Sequence, residues 1–225
     1  MSWITIPVAD GTTLDAWRVA PPAAPAPTVI VLHELLGLTA FIRDVAARLA
    51  GQGYLAIAPD LFHRTAPRLE ATVAEQGMPH ARQLTPPGVS ADLEAVHAVL
   101  RGDPSADAAR LAAWGFCMGG RIAHRANLVL PLRAAIAFYG SWPPADELPG
   151  LRAPTLLVWG GRDPHLPPEP RRALVDALAA AGKPYVDVVF GDVSHGFFAD
   201  QAAPASRVAW QLVRGFLGEH LSARS

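Results

Sequence analysis

The sequence predicts an α/β fold: a mostly parallel central sheet with helices on both faces, entered through an N-terminal antiparallel hairpin. Three observations carry this expectation. Continuous apolar runs such as "TVIVLH" and "LAAWGF" read as strands buried on both faces. Stretches with helical spacing alternate with those runs, as crossover helices do in a parallel sheet. Near the start, Asp10-Gly11 separates two alternating stretches, which is a hairpin signal.

The elements follow in order. "WITIPV" and "TLDAWRVA" form the hairpin, and "PPAAPAP" is a short stiff connector to the first buried strand, "TVIVLH". "AFIRDVAARLAGQG" is a helix that Gly51 or Gly53 can stop, and "YLAIAPD" is the next strand. Residues 61–89 carry prolines at 67, 79, 86 and 87 and read as irregular and polar. Such a segment is expected to hang over the site and set substrate choice. "SADLEAVHAVLRG" reads as a helix capped by Ser90. The strand "LAAWGF", the helix "MGGRIAHRANLVL" and the strands "RAAIAFYG" and "APTLLVWGGRD" come next. The helix "EPRRALVDALAAAGK", the strand "YVDVVFGDV" and the helix "ASRVAWQLVRGFLGEHL" close the chain. No repeat and no strong boundary breaks the pattern, so residues 1–225 read as a single domain.

Composition excludes several classes. About half the residues (51%) are apolar and the formal net charge is −1, as expected of a soluble globular protein. No Lys/Arg run offers a footprint for nucleic acid or for an anionic membrane surface. The N-terminus lacks the basic and apolar regions of a signal peptide, and no run is long enough to span a bilayer, so the expected compartment is cytoplasmic. The single cysteine, Cys117, cannot form an internal disulfide.

In sheets of this kind, reactive groups sit beyond the carboxyl ends of the strands. Cys117 stands in Gly115-Phe116-Cys117-Met118-Gly119, between a strand and a helix. This is the G-x-S-x-G nucleophile turn with cysteine for serine. A buried structural cysteine is the bland alternative. The strand, both glycines and the helix favour a nucleophile, and the helix N-terminus should favour its thiolate. The Met118 amide can then face a developing oxyanion. A thiol needs a base and the base an orienting acid, in the chain order nucleophile, acid, histidine. Asp163 in "GGRDPHLP" and His195 in "DVSHGFF" are the best placed; Asp192, His97, His124, His165 and His220 are weaker candidates. Glu34 follows "TVIVLH" and is either a solvated loop acid or a carboxylate beside the thiol, and the Leu35 amide is a candidate second oxyanion donor. "HELLG" fails the zinc motif H-E-x-x-H because Gly37 takes the last place. No metal or cofactor is expected.

These stretches, with "HELLGL", "YLAIAPDLF", "WGFCMGGR", "AFYG", "GGRDPHLP" and "HGFF" in the same order, resemble the dienelactone hydrolases of the α/β-hydrolase superfamily. The resemblance implies an α/β-hydrolase fold and a triad of Cys117, Asp163 and His195. It implies a Glu34 that holds the resting thiol and gives way when substrate binds, with the Leu35 and Met118 amides as oxyanion donors. It also implies that Tyr139 lies near the site, with Phe197 beside the histidine as a further substrate contact. The best-known members open a carboxylate-bearing unsaturated lactone during the breakdown of aromatic compounds, and an arginine shortly after the histidine grips that carboxylate. Here Ala199 stands at that place. A second arginine would come from the irregular segment, where Arg64 and Arg82 are the candidates and solvated charge is the simpler reading of Arg64, Arg68 and Arg82 alike.

The expected activity is cysteine-dependent hydrolysis of a small-molecule ester or lactone through an acyl-enzyme. A broad carboxylesterase or thioesterase is the alternative; a non-catalytic binding protein or a redox sensor on the same fold ranks below both. The sequence leaves monomer and homodimer open.

Overall fold

A computed structural model describes residues 1–141 and 144–222. Eight strands form one sheet in the order β1-β2-β4-β3-β5-β6-β7-β8. The hairpin is β1 (Ser2–Pro7) and β2 (Thr13–Val19), paired antiparallel, and β2 joins β4 (Leu55–Pro59) antiparallel as well. All further pairings are parallel: β4 with β3 (Ala26–Leu32), β3 with β5 (Ala106–Phe116), then β6 (Ala134–Phe138), β7 (Thr155–Gly160) and β8 (Tyr185–Phe190). The α/β-hydrolase fold expected from the sequence is the fold observed.

The core lies on both faces of the sheet, as the apolar runs require. One face packs Val29, Val31, Trp114 and Phe138 against α1 (Ala40–Ala50) and α6 (Pro204–Leu221). The other packs Ile30, Leu32, Leu111 and Ala113 against α3 (Pro86–Gly102) and α4 (Met118–Val129). Neighbouring residues of one strand thus serve opposite faces, and none of the described helices is long and apolar enough to cross a membrane.

Two expectations need correction. Ser90 lies inside α3 and does not cap it. The helix begins four residues earlier, where Pro86 and Pro87 preset the helical φ and Thr85 accepts the Gly88 amide at 3.3 Å. The segment after β4 is also more ordered than its prolines suggest. It contains α2 (Ala74–Ala81), with Pro79 inside it, and it buries Leu61 and Phe62. Two buried carboxylates organise this segment. Asp60 accepts the Phe62 and Arg68 amides, and Asp92 binds both His63 and Arg64.

One buried group works against the fold in acid. His124 on α4 is buried, both its ring nitrogens lack partners among the described residues, and burial pushes its pKa down to about 4. A folded-state pKa below the unfolded value means that the unfolded chain takes up the proton first. This group therefore removes stability as pH falls from about 6.5 towards 4, by up to roughly 3 kcal/mol. Urea unfolding against pH should show a shallower acid decline for His124→Leu than for the wild type; parallel curves would refute the assignment.

Candidate active site

The strand-to-helix bend after β5 brings stretches of backbone unusually close. Cys117 has φ 53° and ψ −115°, a conformation that L-residues rarely adopt. The two flanking glycines are required by close backbone approach. A Cβ at Gly115 would lie 1.9 Å from the Gly119 carbonyl oxygen, and one at Gly119 would lie 2.1 Å from that of Leu32. The first contact closes the bend, and the second presses α4 onto the end of β3. The half-buried sulfur is therefore held above the sheet beside the loop that follows β3, and the amides of both Met118 and Leu35 reach it.

Asp163 and His195 come together from the ends of β7 and β8. His195 Nδ1 stands 2.7 Å from Asp163 Oδ2, and the His165 amide holds the other carboxylate oxygen at 2.8 Å. The loop that carries His195 runs close to the end of β7, where a Cβ on Gly160 would meet the Ser194 carbonyl at 2.6 Å. Gly196, expected to let the loop present its histidine, has φ +72°. The Asp163 carboxylate is buried and the imidazole is one-fifth exposed, so the acid faces the protein and the base faces the site. No hydrogen bond joins Cys117 to His195 among the described residues.

Two groups the sequence placed near the thiol do lie beside it. Glu34 is close enough for its charge to act on Cys117, and burial raises its own pKa. Tyr139 is buried, its ring centroid 5.0 Å from that of His195, and its hydroxyl has no partner among the described residues. The expected thiolate-favouring effect of the helix end does not prevail. Burial, with the carboxylates of Glu34 and Asp163, pushes the Cys117 pKa up to about 11 against the pull of the two amides. At rest the group is a neutral thiol.

Part of the segment expected to overhang the site backs the loop after β3, and its end from Ala81 to Val89 borders the pocket beside Met118. Leu38 donates to the Leu69 carbonyl at 3.2 Å and Ala71 to that of Leu36 at 2.8 Å. Gly77 of α2 sits so close behind Leu35 that a Cβ there would lie 1.6 Å from the Leu35 carbonyl oxygen. Sequence reasoning missed this role; the one available signal was a glycine at mid-helix, where propensity alone disfavours it.

The substrate-contact candidates separate. Arg64 does not fit its expected role, because its guanidinium is committed to Asp92 and Asp10 at 2.7–2.9 Å. Arg82 is exposed at the end of α2, and Arg68 pairs with Asp15 and covers the Trp3 ring. Half-buried Phe197 packs on Tyr139, with ring centroids 5.8 Å apart. A pocket of about 140 Å³ opens beside Met118, between Leu84, Val89, Arg121, Arg125 and Glu147.

A mostly parallel sheet with a strained strand-to-helix bend and an Asp–His pair at its carboxyl edge defines an α/β-hydrolase. The family model described as "Dienelactone hydrolase family" matches residues 14–221. A Methylorubrum extorquens protein named "Putative carboxymethylenebutenolidase" is 35% identical over 210 residues, covering 88% of this chain and 72% of that one. An Escherichia coli K12 protein of the same name is 34% identical, covering 89% and 80%. A Klebsiella pneumoniae crystal structure named "Putative Dienelactone Hydrolase" superposes with TM-score 0.88 at 30% identity, covering 97% of this chain and 99% of that one. The chain belongs to the dienelactone hydrolase family, and it is a hydrolase of esters or lactones.

Two outcomes follow from the geometry. Alkylation of Cys117 by iodoacetamide should be slow at neutral pH and rise with pH towards a midpoint near 11. Glu34→Gln removes a nearby negative charge, so its midpoint should fall and its neutral-pH rate should rise; an unchanged profile would mean that the carboxylate does not act on the thiol. Gly77→Ala should push Leu35 out of place, destabilising the fold by about 1–3 kcal/mol and lowering kcat more than the loss of folded protein accounts for. Steady-state kinetics on protein that passes a melting control would check it.

Proposed function

We propose that the hydrolysis runs through an acyl-enzyme on Cys117, with His195 as the base, Asp163 as its orienting acid, and the Leu35 and Met118 amides as oxyanion donors. The observation that carries this reading is the strained bend that aims Cys117 at both amides. The Asp163–His195 contact supports it. Nδ1 donates to the carboxylate, which leaves Nε2 free to accept a proton.

The same amides cannot hold the sulfur and an oxyanion together. A substrate carbonyl entering between them displaces the sulfur, which swings towards His195 and passes its proton to Nε2. The thiolate attacks the carbonyl carbon, and the amides take the oxyanion. Collapse expels the alcohol oxygen, which leaves with the proton from His195. A water then gives its proton to His195 and attacks the thioester. The second collapse expels the thiolate, which takes the proton back from His195 to restore the resting thiol, and the acid departs. Thiolate leaves more readily than alkoxide or amide, so activated esters and enol lactones are the preferred substrates and amides are poor ones.

A broad carboxylesterase or thioesterase is the second reading. The observations favouring it are Ala199 in the place after the histidine and the commitment of Arg64 to Asp92 and Asp10. An activated aryl ester and an unsaturated lactone, assayed side by side, separate the two. Cys117→Ala should lose at least about a thousandfold in kcat on either, and mass spectrometry of a quenched wild-type reaction should find the acyl group on Cys117. Full activity in Cys117→Ala would sink the mechanism. A wild type that cleaves the ester and leaves the lactone intact would favour the second reading.

A further inference from the structure

The loop after β3 begins with a buried histidine that the reaction above leaves unused. His33 is completely buried, and its ring bridges two backbone groups. Nε2 lies 3.0 Å from the Leu61 amide nitrogen, and Nδ1 lies 2.7 Å from the Glu34 carbonyl oxygen. An amide only donates, so Nε2 accepts and carries no hydrogen. A carbonyl only accepts, so Nδ1 carries it. The two partners thus fix one neutral tautomer, and burial, which lowers the His33 pKa, disfavours a second proton.

The Glu34 carbonyl and the Leu35 N–H belong to one planar trans peptide unit, in which they point in opposite directions. Holding the oxygen therefore aims the hydrogen. That hydrogen belongs to one of the two amides that reach the Cys117 sulfur. A hydrogen bond accepted at the carbonyl also polarises the unit, which makes its N–H a better donor.

We infer that His33 is a positioning residue: by donating from Nδ1 to the Glu34 carbonyl it sets the direction and strength of the Leu35 oxyanion donor. Its other nitrogen, accepting from Leu61, ties that donor to the segment that follows β4. This inference rests on the proposed role of the Leu35 amide.

Two substitutions separate the halves of the bridge. Asparagine places an amide nitrogen near the position of Nδ1, so His33→Asn keeps the donor to Glu34. Glutamine reaches the position of Nε2, so His33→Gln keeps the acceptor for Leu61 and loses that donor. In His33→Gln, kcat on an activated ester should fall about tenfold or more with KM nearly unchanged, and His33→Asn should recover most of that loss. A readout independent of turnover is the ultraviolet thiolate absorbance of Cys117. A misaimed Leu35 amide supports the thiolate less, so the titration midpoint should move up in His33→Gln and return towards the wild type in His33→Asn. A shifted midpoint in a protein without Cys117-dependent hydrolysis would uphold the positioning and defeat the hydrolase mechanism. A folded His33→Gln that titrates like the wild type, or equal losses in the two variants, would overturn the inference. Should neither variant fold, NMR of the wild type labelled at histidine nitrogens decides. A proton on Nδ1 of His33 whose signal shifts when Cys117 is alkylated supports the role, and a proton on Nε2, or no response, refutes it.

Discussion

The site depends on a place where three stretches of backbone meet too closely for any side chain. Gly115, Gly119 and the end of β3 converge at Cys117, and each imagined Cβ would meet a carbonyl oxygen at about 2 Å. The contact between Gly119 and Leu32 matters most. It sets the start of α4 against the residues that immediately precede His33, Glu34 and Leu35. The Cys117 turn and the Leu35 peptide follow strands far apart in sequence, yet one backbone contact fixes their distance. The positive φ of Cys117 is the local cost of that closeness, and it persists because the surrounding hydrogen bonds leave no other path: the Cys117 amide donates to the Phe138 carbonyl and its own carbonyl receives Gly120.

Electrostatics then make the reactivity conditional. Two amides favour the thiolate, while burial and the carboxylates of Glu34 and Asp163 oppose it, and the opposition prevails. A neutral thiol resists oxidation and adventitious alkylation better than a thiolate does. In the proposed mechanism its resting place is also the space an oxyanion needs, so entry of a carbonyl and release of the sulfur towards His195 are linked by simple exclusion. Tyr139 adds a buried hydroxyl without a partner beside the same charges.

The sheet was legible in the sequence because a strand buried on both faces leaves a continuous apolar run, and the bend at Cys117 was legible because glycine spacing is local. The Asp163–His195 pairing followed from chain order and strand ends. The rest depended on contacts across the chain. Thr85 supplanted Ser90 as the cap of α3 because two prolines can start a helix as well as end one, and the string of letters does not say which. Arg64 looked available for a substrate until Asp10 and Asp92 arrived from a turn and a helix far apart in sequence. The charge state of Cys117 was misjudged for the same reason. The helix end is visible in the sequence, whereas the burial and the facing carboxylates that outweigh it are not.

Residues 61–81 show how far such contacts reach. A proline-dotted polar stretch reads as an irregular segment that hangs over the site and sets substrate choice. Here its backbone is stitched to Leu36 and Leu38, its helix rests directly on Leu35, and its first amide is held by His33. One face of the segment supports the Leu35 peptide, and the chain just beyond it, at Leu84 and Val89, borders the pocket next to Met118. One continuous piece of chain thus touches both the Leu35 peptide and the pocket beside Met118. Under the proposed mechanism, a substitution in that segment acts on the pocket and on the Leu35 donor together, through the contacts of Gly77 and His33.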